Sequence, residues 1–173
     1  IKTLPKIITS GAKTLPAQVA FKCGVKSETF ESMEIKMHQL SAVLAKLGVK
    51  KGNRIGIFMH RVVESAIAVY GIMNTGAVFV PIDPTSPISR ILGIMEDCDI
   101  RVLISSQSLM GYFPKILKAT SKLKAVIGFH SDELSIQSIS WERVYEENPT
   151  SPNISISEDD LAAIGSPEPD NLL

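Results

Sequence analysis

The strongest hydrophobic pattern in the first third of the chain predicts a long amphipathic helix. Its apolar residues recur at intervals of four, three, four and three and so share one face, whereas polar side chains occupy the opposite face. The apolar members are Met33, Met37, Leu40, Leu44 and Leu47. Gly48 follows the last of them and predicts a left-handed helix end, a conformation that glycine adopts at little cost.

From Arg54 onward the pattern changes to short β-prone runs separated by helical ones. The predicted strands begin 23, 24 and 23 residues apart, a spacing that fits one strand, one turn and one helix of about three turns. The strands are Arg54–Met59, Ala77–Pro81, Arg101–Ser105 and Lys124–Phe129, and the helices are Val63–Asn74, Ser89–Asp97 and Leu109–Thr120. Three strand–helix–strand units in succession indicate a parallel sheet with right-handed crossovers.

Consecutive apolar residues in these strands, such as 78–80 and 102–104, are typical of parallel strands covered on both faces. The predicted fold class is therefore α/β, with a mainly parallel sheet and helices on both faces. Residues 1–27 form an amino-terminal lead-in, with an amphipathic segment near Leu4–Ser10 and a strand at Gln18–Lys22. Residues 28–148 form the α/β core.

The pattern weakens toward the end of the chain. We predict an edge strand within Ser131–Ser140, a short helix at Trp141–Glu147, and a linker over Asn148–Ser157. Residues 149–173 comprise this linker, the beginning of one further buried strand at Leu161–Ile164, and an irregular, truncated tail.

Composition excludes several classes of partner. The 173 residues carry 18 Lys plus Arg and 18 Asp plus Glu, so there is no net charge to favour nucleic acid. No apolar run approaches the roughly 20 residues that a membrane span needs. The two cysteines, Cys23 and Cys98, form no CxxC pair, which favours a reducing, cytoplasmic location.

Candidate chemistry is sparse. The glycine-rich phosphate-loop and dinucleotide motifs, HExxH and GxSxG are all absent. His38 borders the apolar helix face and is best explained as a boundary residue. His60 and His130 each follow a predicted strand, at the sheet edge where such folds bind ligands, yet neither has an adjacent nucleophile in the sequence.

The run Pro81–Pro87 is the most informative local segment. Its prolines end the strand, and Asp83 is placed to accept hydrogen bonds from the following amides, which predicts a rigid turn into a helix that begins near Ile88. The loop is either a stiff connection or one border of a ligand crevice. Glu96, Asp97 and Asp99 lie near Arg101 and predict a solvated charged corner rather than a catalytic carboxylate pair.

Three passages together resemble the adenylate-forming enzymes, the family of acyl-CoA synthetases, luciferase-like ligases and nonribosomal peptide synthetase adenylation domains. Leu47–Ile57 resembles the family's GV-x-x-GD-x-V-x-I, and Gly71–Pro84 resembles G-x-L-K-A-G-A-x-Y-V-P-I-D-P. The third passage is similar to the family's YP-x-x-R-I-x-x-M-L-E-D … V-L-I-T, and its matching residues are Pro87, Arg90–Ile91, Met95–Asp97 and Val102–Ile104. The order and spacing match from about Thr29 to Ser106 and more weakly to Ile164.

The chain departs from the family after Ile164. The family's Ser/Thr/Gly-rich phosphate loop, Y-T-S-G-S-T-G-x-P-K-G, would follow here, but only Gly165 and Ser166 are similar to it. Glu168 and Asp170 would repel a triphosphate. The family's ribose-binding Asp, adenine platform and catalytic Lys would lie beyond Leu173, so no catalytic residue and no metal ligand is carried over. We expect this chain to be the amino-terminal part of such an enzyme. Its tail is then a truncation, an artificial scar, or ordered pieces of sequence joined across a gap.

The resemblance implies an enzyme that uses ATP and Mg²⁺ to convert a carboxylic acid to an acyl-adenylate and then transfers the acyl group to CoA or phosphopantetheine. We expect this chain to pack against the rest of the adenylation domain, and by itself neither to hold these cofactors nor to catalyse adenylation. Two alternatives stay open: a fragment of a peptide synthetase adenylation domain, or a non-catalytic, doubly wound binding or interaction module.

Overall fold

The computed structural model describes residues 3–150, 153–157 and 159–165. These residues form six α-helices and seven strands. The helices are α1 (Leu4–Thr14), α2 (Phe30–Lys46), α3 (Val63–Asn74), α4 (Ile88–Asp97), α5 (Phe113–Ala119) and α6 (Trp141–Tyr145). The strands are β1 (Val19–Cys23), β2 (Lys26–Thr29), β3 (Arg54–Phe58), β4 (Val78–Ile82), β5 (Val102–Ile104), β6 (Ala125–Gly128) and β7 (Gln137–Ser140). A short 3₁₀ helix, Gln107–Tyr112, leads into α5.

The central sheet has five strands in the order β4-β3-β5-β6-β7, and every neighbouring pair is parallel. All three residues of β5 and all four of β6 are buried, as the consecutive apolar residues predicted. The fold class predicted from the sequence, an α/β fold built on a parallel sheet, is confirmed. Each of the four predicted core strands lies within one residue of its predicted ends.

The direction of winding changes once in this sheet. From β3 the chain crosses to β4 on one side, and from β4 it returns past β3 to β5 and then to β6 on the other. Because crossovers of parallel strands are right-handed, α3 lies on one face of the sheet, and α4 and α5 lie on the opposite face. The sheet is therefore doubly wound.

The helix with the strongest periodicity, α2, packs along α3 and carries the predicted apolar face into the core. Met33, Met37, Leu40 and Leu44 are all fully buried. Thr29 caps the first turn by accepting a hydrogen bond from the Ser32 amide. Gly48 has a φ of 81°, the left-handed conformation that the sequence predicted after this helix.

A hairpin that the sequence analysis missed precedes α2. Strand β1 agrees with the predicted strand, but β2 pairs with it in antiparallel fashion across the two-residue turn Gly24–Val25. The β2 residues, Lys-Ser-Glu-Thr, are all polar and show no alternation of apolar positions, so periodicity could not reveal the strand.

The two outer edges of the sheet differ from expectation. The predicted edge strand within Ser131–Ser140 forms only over its last four residues, as β7. The predicted buried strand Leu161–Ile164 is wrong about burial, because Leu161 is 58% exposed and the segment makes a single parallel bridge, from Ala163 to Phe79 of β4. Among the residues that the structure describes, no helix is both long and apolar enough to cross a membrane.

Candidate functional site

A cleft of about 1120 Å³ opens at the carboxyl ends of β3 and β4. Its floor includes Ile57 and Phe79 from the sheet, and one wall is the loop that follows β4. The start of α3 and the β1 end of the hairpin complete the opposite wall. The strand order β4-β3-β5 places the switch point of the sheet between β3 and β5, so this cleft lies one strand nearer the β4 edge, at the carboxyl ends of the strands, where open α/β sheets bind ligands.

The loop after β4 is rigid, as the sequence predicted. The Asp83 carboxylate accepts hydrogen bonds from the Thr85 amide and from the Thr85 hydroxyl, both at 2.8 Å. These bonds, followed by the nearby charges of His60 and Arg90, hold the pKa of Asp83 below its ordinary value. Helix α4 then begins at Ile88, the residue predicted. The loop also lines the cleft, so both interpretations given for it, a stiff connection and a crevice border, describe it.

The cleft carries more cationic than anionic side chains. Lys22, Arg61 and Arg90 line it beside the imidazole of His60, and Asp83 is the one carboxylate among its described lining residues. Within residues 3–150, 153–157 and 159–165, neither Lys22 nor Arg61 takes part in an ion pair. Because three cations, Lys22, Arg61 and Arg90, line the mouth of the cleft with one carboxylate, the mouth favours an anionic ligand.

The three histidines occupy three different environments. His60 lines the cleft, as its position after β3 predicted. His38 is half-buried on α2, where burial lowers its pKa more than the charge of Glu34 raises it. His130, expected at the same edge as His60, is not among the residues that line the cleft.

His130 instead belongs to a hydrogen-bonded cluster beside β7 that the sequence did not reveal. Its Nδ1 lies 3.1 Å from the Ser138 hydroxyl, and its Nε2 lies 3.1 Å from the Asp132 carboxylate. The same hydroxyl accepts from the Ser131 amide and lies within hydrogen-bond distance of the Ser131 carbonyl. Because both backbone groups already hold this hydroxyl, the cluster is explained as a brace of the loop between β6 and β7 rather than a nucleophile.

The acidic corner after α4 is solvated, as predicted. Lys122 pairs with Glu96 at 2.6 Å, Arg101 pairs with Asp99 at 3.3 Å, and all four side chains are at least 40% exposed. In the described part of the chain, no group of three His, Cys, Asp or Glu side chains is placed to hold a metal ion.

The last described residues of the chain run beside β4 and lead to the cleft. Ala162 accepts a hydrogen bond from the Phe79 amide at 2.9 Å, and the Ile164 amide donates to the Phe79 carbonyl at 3.1 Å. Gly165 follows and lines the cleft. Of the two residues predicted to correspond to the phosphate loop, Gly165 therefore lies at this site, and Ser166 lies outside the described residues.

The hairpin wall is the part of the site that sequence reasoning missed. Phe21, Lys22 and Cys23 line the cleft, and the Cys23 thiol lies 3.4 Å from the Arg61 carbonyl. The glycine of the two-residue turn was the one local signal for this hairpin. Unless β2 is recognised, no pattern in the sequence places residues 21–23 next to the end of β3.

The site therefore combines a doubly wound parallel sheet, a cleft at the carboxyl ends of β3 and β4, and an added parallel segment at β4. The sequence model of the family "AMP-binding enzyme" matches residues 8–165. Because that match covers most of the chain, the protein belongs to the AMP-binding enzyme family.

Curated relatives and solved structures agree with this assignment. The chain is 32% identical over 113 residues to one of the subunits of mycosubtilin synthase from Bacillus subtilis, and 35% identical over 112 residues to gramicidin S synthase 2 from Brevibacillus brevis. Each alignment covers 65% of this chain but only 4% and 2% of the relatives. Coronafacic acid ligase from Pectobacterium brasiliense superimposes with a TM-score of 0.84 at 17% identity, over 93% of this chain and 33% of that structure, and shows the shared fold.

Proposed function

We propose that this chain is the amino-terminal portion of an AMP-forming ligase that uses ATP to convert a carboxylic acid to an acyl-adenylate and then passes the acyl group to a thiol. The observation that carries this proposal is the path of the chain at β4. The segment that ends at Gly165 adds to β4 in parallel and leads directly into the cleft at the carboxyl ends of β3 and β4.

The cleft suits the phosphate groups that this chemistry requires. Two cations, Lys22 and Arg61, are not in ion pairs within the described residues, and Asp83 is the single carboxylate among the described lining residues. Bound ATP with Mg²⁺ would supply the α-phosphate that the carboxylate attacks. The thiol, from CoA or phosphopantetheine, would also carry phosphate. We assign the magnesium ligands and the remaining nucleotide contacts to residues outside the described part of the chain.

Within this chain the proposed roles are those of a scaffold. Residues 1–27 provide a lead-in, residues 28–148 form the core that presents the cleft, and residues 149–173 link to the phosphate-binding region of the enzyme. Gly165 and Ser166 are the residues that we propose as a remnant of that region. The rest of the adenylation domain is then the packing partner. We propose a cytoplasmic location, which the two unpaired cysteines support.

An amino acid is the second candidate for the activated carboxylate. The relatives at 32% and 35% identity are synthases named for mycosubtilin and gramicidin S, which favours a peptide synthetase adenylation domain over a stand-alone acyl ligase. A panel that contains both amino acids and simple alkyl and aryl acids separates these two candidates.

The test is ATP–pyrophosphate exchange, measured with that panel on the full-length enzyme and on the 173-residue chain alone. We expect exchange from the full-length enzyme with one class of acid and none above background from the chain alone. Exchange by the chain alone would overturn its role as a scaffold portion. A folded full-length enzyme that gives no exchange with any acid would overturn the proposed activity.

A charge reversal tests the role of the cleft itself. We expect Arg61→Glu in the full-length enzyme to raise the KM for ATP or for the phosphorylated thiol about tenfold or more, since a charge-assisted hydrogen bond contributes about 1.5–3 kcal/mol. Lys115→Glu, which makes the same charge change on α5 outside the cleft, is the matched control. Equal KM values for the two variants would contradict the assignment of phosphate to this cleft.

A further inference from the structure

The segment that leads into the cleft is held on β4 by very few hydrogen bonds. We call residues 153–157 and 159–165 the outer segment. Its only described strand pairing is the bridge between Ala163 and Phe79. The next β4 residue that faces outward is Pro81, which has no amide hydrogen to donate. Pairing along β4 is therefore too short to fix which residue of the outer segment lies opposite Phe79.

The sequence of the outer segment does not fix this register either. Ala162 and Ala163 are identical, so a slip of one residue exchanges alanine for alanine at the bridge. Such a slip would nonetheless reverse the face of every later side chain and move Gly165 by about 3.3 Å along the strand. Some other contact must set the register.

Lys51 supplies that contact from the turn between α2 and β3. Its Nζ donates to the Ser155 carbonyl at 3.1 Å and pairs with the Asp160 carboxylate at 2.8 Å. The same carboxylate oxygen accepts a hydrogen bond from the Ser157 amide at 2.8 Å. One ammonium group thus joins two parts of the outer segment, and the second of these, Asp160, lies only two residues before Ala162.

The stem of Lys51 is itself held in place. A Cβ added at Gly76 would lie 3.0 Å from Lys51 Cγ and 3.5 Å from Ile154 Cγ2, so the stem and the outer segment both pack on the turn before β4. The Gly52 amide donates to the Gly76 carbonyl at 2.9 Å, which ties that turn to the one that carries Lys51. The stem of Lys51 therefore packs beside the start of β4, and its half-exposed ammonium group reaches the outer segment from that position.

We propose that Lys51 is a positioning residue: it sets the register of the outer segment on β4 and hence the point at which the chain enters the cleft. The register itself follows from the contacts around Lys51. Its importance for catalysis rests on the proposed function, because only then does the chain beyond Gly165 bind phosphate.

The experiment uses NMR of the 173-residue chain without nucleotide. Protection of the Ile164 amide from hydrogen exchange and the cross-strand contact between Phe79 and Ala163 report the register. We expect Lys51→Ala to reduce Ile164 protection at least tenfold and to weaken that contact, while amides of β3 and β5 keep their protection. Lys51→Arg should retain both signals. Lys50→Ala, in the same exposed turn, is the matched control and should change neither signal.

Unchanged Ile164 protection in Lys51→Ala, or equal losses in Lys51→Ala and Lys51→Arg, would overturn the inference. Asp160→Asn removes the charge from the other side of the ion pair and should reproduce the Lys51→Ala result, which keeps the test valid if that variant loses its fold. In the full-length enzyme, Lys51→Ala should lower kcat for exchange and Lys51→Arg should restore it. Absence of exchange from the unaltered enzyme would refute the proposed function, whereas the NMR result would still decide the role of Lys51.

Discussion

Replacing Gly128 by alanine should be among the most damaging single-methyl changes in this chain. Gly128 is buried at the end of β6 and has a φ of 136°, a conformation that residues with a Cβ rarely adopt. A Cβ built there would lie 1.9 Å from the Ser105 carbonyl oxygen and 2.5 Å from its carbon. Both atoms are backbone, so no flexible side chain can move aside.

The magnitude follows from two separable costs. Forcing alanine into this backbone conformation costs about 1–3 kcal/mol. Displacing the Ser105 carbonyl also disturbs its buried hydrogen bond from the Trp141 indole at 3.2 Å, which adds about 1–3 kcal/mol. A loss of about 2–6 kcal/mol is a large share of the roughly 5–15 kcal/mol that stabilises a typical domain.

Urea denaturation measures this loss, and the single tryptophan provides the signal. Since Trp141 is the chain's only tryptophan and bonds to the displaced carbonyl, its emission should shift to the red in the folded variant. With an m-value near 2 kcal/mol/M, a loss of about 4 kcal/mol lowers the midpoint by about 2 M.

Gly93→Ala is the matched control for Gly128→Ala. Gly93 lies in the exposed interior of α4, where no heavy atom comes within 4 Å of an added Cβ. This second change should stabilise the protein by about 0.5–1 kcal/mol, because alanine loses less backbone entropy in a helix. Equal midpoints for Gly128→Ala and the unaltered protein, or a lower midpoint for Gly93→Ala, would refute the reasoning.

Three further changes should have smaller effects of defined sign. Ser105→Ala should stabilise the protein by about 1 kcal/mol in the same urea assay, because the Ser105 hydroxyl is buried and has no partner among the described residues; a lower midpoint would contradict this. Gln39→Leu should cost about 1–2 kcal/mol and reduce hydrogen-exchange protection in α6, since the Gln39 amide donates to the carbonyls of Tyr145 and Glu147 at 2.7 and 3.0 Å. Burial lowers the pKa of His38 from 6.5, so the unfolded chain takes up the proton first and stability should fall as the pH drops below 6.5. His38→Gln should flatten that part of the pH–stability curve, and an unchanged slope would show that another group causes it.

The core of the fold was predictable because its signals are local and redundant. In α2, four buried residues at helical spacing lie between a capping threonine and Gly48. These two residues mark the beginning and the end of the helix. In β5 and β6, unbroken apolar runs are explained only by burial on both faces. The turn at Asp83 was equally predictable, because its hydrogen bonds join residues only two apart.

The remaining features depend on partners distant in sequence. Strand β2 has no apolar periodicity and exists because it pairs with β1, and the cationic wall at Lys22 follows from that pairing. The Ser138 and Asp132 contacts of His130 arise from the path of an irregular loop that no pattern encodes. The ion pair between Lys51 and Asp160 joins residues more than a hundred positions apart, each of which taken alone is an ordinary surface charge.

The two edges of the sheet differ in how they can pair with a further strand. At β7, the Gln137 amide faces β6, so the backbone of the next residue, Ser138, faces outward. The His130 ring lies 3.2 Å from this outward Ser138 carbonyl and covers it. At β4, the sequence Val-Phe-Val-Pro-Ile carries no charged residue, but the outward-facing Pro81 limits the pairing of a further strand to the bridge at Phe79. The outer segment uses this edge, but Leu161 remains 58% exposed beside it. The β4 edge therefore accepts one further strand, at Phe79, whereas the outward Ser138 carbonyl of β7 lies against the His130 ring.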